Sequence, residues 1–273
     1  MKDQYVGDEN DYYKYGLLRL LAADGVPTLV VWMRTQDDGR SDGRQTAYLD
    51  RPERWKHYDP RLFEALADLV REGQRDLRAV EKANLLPGAR FLRDLLPEDA
   101  AGRALHFSRL GRLARRGDLL LLDPDNGIEV PSIPYGRAGS SRYLYLREVE
   151  ALYRAGPSLL LYQHFPRVER ASFVRRVAER GLAATGAPLA VSFRARRVLF
   201  LLLPQPNEEA LYLKRSEVVA GTWGGEIEVA VHRPGRSPHD DVHGKGSAEI
   251  GFPVRYHAQL HTRRRPFPVK ERG

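Results

Sequence analysis

The chain has 273 residues, 44 Lys+Arg against 36 Asp+Glu for a formal charge of +8, 42% hydrophobic residues and no cysteine. The lack of cysteine excludes a disulfide framework, a thiolate zinc site, an iron–sulfur cluster and a cysteine nucleophile, so any nucleophile is an oxygen, a nitrogen or water. The longest apolar runs, among them Leu119–Leu122 and Val198–Leu203, stop at six residues, far short of the roughly 20 that span a bilayer. The Met-Lys-Asp-Gln-Tyr start lacks the basic-then-apolar pattern of a secretory leader, so a cytoplasmic protein is expected, and the excess of positive charge favours polyanionic partners.

In chain order, Tyr12–Ala23 carries tyrosines and leucines near helical spacing and closes on Asp24-Gly25. Thr28–Met33 reads as a short buried strand, and Arg34–Arg44, with three Asp and two Gly and no period, as the loop after it. Asp59-Pro60 gives an N-cap and a first-turn proline for a helix whose apolar stripe is Leu62, Phe63, Leu66, Leu69 and Val70. A strand is expected at Asp76–Glu81, then helices at Leu85–Leu96 and Arg103–Arg116. The leucine run between Asp118 and Asp123 has the pattern of a parallel strand buried on both faces. A helix at Arg142–Ala155, a strand at Ser158–Tyr162, a helix at Arg167–Arg180 and strands at Pro188–Phe193 and Arg197–Leu203 follow.

This alternation predicts an α/β fold with a mainly parallel, Rossmann-like sheet, helices on both faces and a closing antiparallel hairpin. Residues 1–231 are expected to form one domain and 232–273 a basic, Gly- and Pro-containing extension. From His232 onward nine Lys/Arg face four Asp/Glu, a net of five positive charges, and Ala248–Tyr256 is its one candidate strand. The extension's His239/His243 and His257/His261 pairs have the i,i+4 spacing of helical metal ligands, but its glycines and prolines make a poor helix.

Ligands of open α/β sheets bind beyond the carboxyl ends of the strands, near a topological switch point. Three segments stand there. Asp123-Pro124-Asp125-Asn126-Gly127 offers two carboxylates and an amide. These suit a divalent metal held through oxygen, a hydrogen bond from an exocyclic amine, or simply a turn that satisfies its own backbone. Gln163-His164-Phe165-Pro166-Arg167 offers an amide, an imidazole able to act as general base, an aromatic and a guanidinium, a set suited to stacking on a base and pairing with phosphate. The bland reading makes Phe165 core and Pro166 a helix start. Thr35, Asp37, Asp38, Gly39 and Gly43 lie in the third segment, a cofactor loop or a solvated one. An EF-hand is excluded there because Leu49 falls where the twelfth-position acid belongs. The dinucleotide, phosphate-loop, zincin and nucleophile-elbow signatures are all absent.

A strand ending in Asp123-Pro124-Asp125-Asn126 resembles the fourth motif, Asp/Asn-Pro-Pro-Tyr/Phe, of class I S-adenosylmethionine-dependent methyltransferases that act on exocyclic amines. It is most similar to bacterial ribosomal-RNA adenine-N6 methyltransferases, which also begin with a short polar helix, here Asp8–Ala23. The terminal hairpin resembles the way that fold closes its sheet. The resemblance implies that Asp123 and the Pro124 carbonyl hold the target amine, that Asn126 stands at the base-stacking position, and that the 37–43 loop faces S-adenosylmethionine. It also implies a nucleic-acid substrate contacted by Gln163, His164, Phe165 and Arg167. Asp125 and Asn126 depart from the family's proline and aromatic. The alternatives are a nuclease or phosphodiesterase holding Mg2+ on Asp123 and Asp125 with His164 activating water, and a non-catalytic nucleic-acid-binding protein.

Overall fold

The structure is a computed structural model that describes residues 1–36, 43 and 45–235. Asp37, Asp38 and Gly39, and with them the extension beyond residue 235 including Ala248–Tyr256 and the histidine pairs, lie outside the described residues. Chain order gives α1 (Glu9–Leu21), β1 (Thr28–Val31), α2 (Pro52–Trp55), α3 (Pro60–Arg71), α4 (Leu77–Lys82), β2 (Ala89–Leu92), α5 (Ala100–Leu113) and β3 (Leu119–Leu122). There follow β4 (Gly127–Ile128), β5 (Tyr143–Leu144), α6 (Leu146–Ala155), β6 (Ser158–His164), α7 (Arg170–Thr185), β7 (Ala190–Arg194), β8 (Val198–Leu203), α8 (Glu209–Trp223) and β9 (Glu228–His232).

Seven strands form one sheet in the order β2-β1-β3-β6-β8-β7-β9, with β4 and β5 in a separate pair. The first four are mutually parallel; β8 runs antiparallel to β6 and β7, and β9 antiparallel to β7. This is the expected Rossmann-like α/β architecture with its closing hairpin, extended by one edge strand. Successive side chains alternate between the faces. Val30, Leu119 and Leu121 pack with α1, α3, α4 and α8 on one side. Leu29, Val31, Leu120 and Leu122 pack with α5, α6 and α7 on the other. Both faces are thus covered, which is why the central strands read as unbroken apolar runs.

Two expected elements are corrected. Asp76–Glu81 is not a strand: Asp76 accepts from Ala79 N at 2.9 Å as the N-cap of α4, and Leu77 and Val80, one turn apart, are buried. Leu85–Leu96 is not a helix. Pro87-Gly88 interrupts it with a left-handed turn at Gly88 (φ +76°), after which β2 pairs with β1. Helix α6 starts at Leu146 instead of Arg142, because Glu148 reaches back to Tyr145 N (3.0 Å). Helix α7 starts at Arg170, where Glu169 accepts from Ala171 N and Ser172 N. Strand β1 ends at Val31, before the expected Met33, which has φ +43°.

Candidate functional site

The chain moves from β1 outward to β2, then returns to the other side of β1 with β3. The strand order therefore reverses between β1 and β3, which is the switch point of this sheet. Asp123 is the first residue past β3, and its N–H still donates to Val31 O of β1 at 3.1 Å. The reversal opens a cleft of about 300 Å³ whose lining includes Asp123, Pro124, Asp125 and Asn126 below, Asp8, Asp11 and Lys14 from the N-terminal segment, and Tyr162 and His164 from β6.

Lys14 is the centre of its electrostatics. Only 2% exposed, it donates to Asp11 Oδ1 at 2.8 Å and to Asp123 Oδ2 at 2.7 Å. The rings of Tyr15, Trp32 and Tyr162 stand 5.5, 5.9 and 5.5 Å from its nitrogen. Burial pushes the ammonium down, but the charges of Asp11 and Asp123 and their hydrogen bonds reverse that and leave it above the ordinary lysine range. Burial raises Asp11, against the pull of Lys14. Asp125 accepts from Thr35 Oγ1 at 2.7 Å and lies 2.6 Å from the Met1 amino group. Its engagement with Thr35 joins the loop after β1 to the loop after β3.

The sequence-identified residues divide in the structure. Asp123, Pro124, Asp125, Asn126, His164 and Gly43 share the cleft, with Thr35 behind Asp125. Gln163 does not face it. Its amide accepts from Ile128 N (2.8 Å) and donates to Asn126 O (3.0 Å) and His164 O (2.7 Å), stapling the β3–β4 loop to β6. Phe165 lies against Phe173 at 5.6 Å and under the Arg170 guanidinium at 5.5 Å. With Arg167 it borders an adjoining depression. Asp8, Asp11 and Lys14, in a polar and tyrosine-rich N-terminal segment, and Tyr162, ahead of Gln163, have no site role assigned from sequence. The available signal was Lys14 itself, a charge in a stretch of tyrosines and leucines that is buried all round.

Gly127 has φ +117°, and a Cβ there would meet the Gln163 amide at 2.4 Å. Gly127→Ala is therefore expected to cost about 3 kcal/mol from the strained backbone and the broken staple together, read as a shift of the urea midpoint. A loss below about 1 kcal/mol would show that the loop yields freely.

Burial first, then the charge of Asp11, raises Asp8 from its ordinary 3.8 to about 7, although Arg75 stands at 3.0 Å and Gln45 N donates to it at 3.1 Å. The folded chain then holds this proton more tightly than the unfolded one. The stability it contributes is full below pH about 4 and declines as pH rises to about 7. In Asp8→Asn, which retains an acceptor for Gln45, the melting temperature is expected to depend less on pH across that window than in the native chain; parallel profiles would contradict the assignment.

Burial, then the charge of Arg197, holds His164 below the ordinary histidine value, so the ring is a neutral base at physiological pH. Asp123 and Asp125 meet an ammonium and a hydroxyl, and among the described residues no three His, Asp or Glu converge as metal ligands would. No helix among the described residues is long and apolar enough to cross a membrane.

A scan against protein-family models finds no match, and a search of curated proteins finds none either. Among solved structures the chain is similar to protein LPL1258 of Legionella pneumophila, assigned to family model DUF519. The two share 13% sequence identity and a TM-score of 0.41, over 84% of this chain and 98% of that one. A likeness at that level carries no argument about activity.

Proposed function

We propose that the cleft is the site of a methyltransferase-like activity that uses S-adenosylmethionine and acts on an exocyclic amine in nucleic acid. The observation that carries this reading is the position of Asp123-Pro124-Asp125-Asn126 at the strand-order reversal, with the first carboxylate fixed at the cleft floor by Lys14.

The donor set suits the cofactor. Four carboxylates, Asp8, Asp11, Asp123 and Asp125, line the cleft against two cations, Lys14 and the Met1 amino group, an excess of acid matched to a ligand bearing a sulfonium and an ammonium. Asp125 with Thr35, and the amides of Asn10 and Gln45, are the groups that would hold it. The cofactor supplies an electrophilic methyl group. The chain's own part is positioning: Asp123 and the Pro124 carbonyl accept hydrogen bonds from the target amine and orient its lone pair. His164 is the base at the mouth that can take the proton the amine releases. Asn126 in place of an aromatic leaves stacking of the target base to Tyr162 or Tyr5.

The direct test is transfer of a labelled methyl group from S-adenosylmethionine to RNA and to DNA by the full chain. Label in N-methylated base supports the reading, and no label in either polymer at high enzyme concentration counts against it. Magnesium-dependent, EDTA-sensitive cleavage of the same polymers would favour the nuclease alternative instead.

A further inference from the structure

His164 borders two depressions at once. On one side lies the acidic cleft; on the other a shallower one of about 510 Å³ carries Phe165, Arg167, Glu169, Arg170 and Arg197 on its walls. The second depression has the opposite charge. Arg167, Arg170 and Arg197 are exposed, and none of the ion pairs among the described residues involves them, whereas Arg71, Arg75, Arg90, Arg103 and Arg109 are each paired. The one carboxylate in their midst, Glu169, also caps α7 by accepting from Ala171 N at 2.7 Å and Ser172 N at 2.6 Å, which holds it down at about 2, so it offsets one of the three positive charges.

The guanidinium groups come from separate elements that the fold fixes together. Phe165 N donates to Arg197 O at 3.1 Å, tying the segment after β6 to the β7–β8 turn, and Arg170 rests on the Phe165 ring. Three guanidinium groups gathered in this way around one carboxylate keep an excess of positive charge that complements a run of anions.

We infer that this depression is a phosphate track for single-stranded nucleic acid, whose adjoining base passes His164 into the acidic cleft. The identity of the cleft end rests on the methyltransferase reading; the track rests on the arginines. The opposed charges sort the two parts of a nucleotide: carboxylates repel phosphate, so the backbone stays on the arginine side and only the neutral base enters. Asp123, 2% exposed at the floor, is out of reach of a base still paired in a duplex.

The test measures fluorescence anisotropy of labelled RNA and DNA strands of about twelve nucleotides, and of the matching duplex, with the full chain over a range of salt. The triple variant Arg167→Ala, Arg170→Ala, Arg197→Ala is compared with Arg71→Ala, Arg109→Ala, Arg154→Ala, which removes equal charge elsewhere on the surface. The track variant is expected to bind single strands at least about tenfold more weakly, with a log-log salt slope reduced by about two, and the control variant to bind as the native chain does. The RNA and DNA arms identify which polymer is preferred. Equal loss in both variants, no loss in the track variant, preference for duplex, or no binding of either polymer would overturn the proposal. Titration of the track variant with S-adenosylmethionine separates the two readings: cofactor binding without strand binding by the native chain defeats the track alone. Strand binding that depends on the arginines, with no cofactor binding, defeats the methyltransferase reading and leaves the track standing.

Discussion

Replacing Lys14 with methionine is expected to cost about 3–5 kcal/mol of folding stability. The side chain is enclosed and balances two buried carboxylates at 2.8 and 2.7 Å. Methionine fills the same volume within the cage of Tyr15, Trp32 and Tyr162, so the loss measures charge, not packing. What remains is Asp11 and Asp123 facing each other without a cation, each deprived of hydration by burial. Equilibrium urea unfolding checks this. The companion triple variant Lys14→Met, Asp11→Asn, Asp123→Asn, which removes all three charges together, is expected to recover most of the loss, because an uncharged set has no desolvated ion to stabilise. A Lys14→Met chain within about 1 kcal/mol of the native one would mean that water reaches these carboxylates and that the cleft floor is not enclosed.

Asp123→Asn tests chemistry where Lys14→Met tests architecture. Asparagine keeps the size and one acceptor, and Lys14 keeps Asp11 as counterion, so the fold is expected to survive with a modest drop in melting temperature. The amide nevertheless turns an N–H toward a cleft designed to accept hydrogen bonds from an amine. Methyl transfer is expected to fall by about 100- to 1,000-fold, the size seen when one positioned hydrogen-bonding group is lost, with cofactor affinity changed only slightly. Melting temperature, cofactor titration and initial rate on the same preparation distinguish the outcomes. Full activity with a lowered melting temperature would reduce Asp123 to a structural counterion of Lys14.

How legible this was in the sequence depended on how far apart the cooperating residues lie. Strand β3 and its polar exit were readable because four leucines run between Asp118 and Asp123, and burial on both faces leaves no other use for such a run. The switch-point cleft followed from that placement. Its electrostatics did not: Lys14 and Asp123 are 109 positions apart, and no local period relates them. The 85–96 segment has enough leucines for a helix, but Pro87-Gly88 and pairing with β1 decided for β2. Helix α8 has no clean apolar stripe, because its buried side includes Arg215 and Ser216 between Tyr212 and Val219. Arg215 lies there to donate to the carbonyls of Leu21 and Ala23 at the end of α1, a partnership a hydrophobic pattern does not reveal. Gln163 looked like a recognition residue from its position after a buried strand, yet its amide is consumed by the loop it holds.

Isothermal titration of the full chain with S-adenosylmethionine, repeated with S-adenosylhomocysteine and with magnesium alone, bears most directly on the cleft. Saturable micromolar binding of the nucleosides, weakened in Asp125→Ala and little changed in Asp123→Asn, is the expected result. Binding of magnesium with no binding of either nucleoside would contradict it and make the Asp123 and Asp125 pair a metal site.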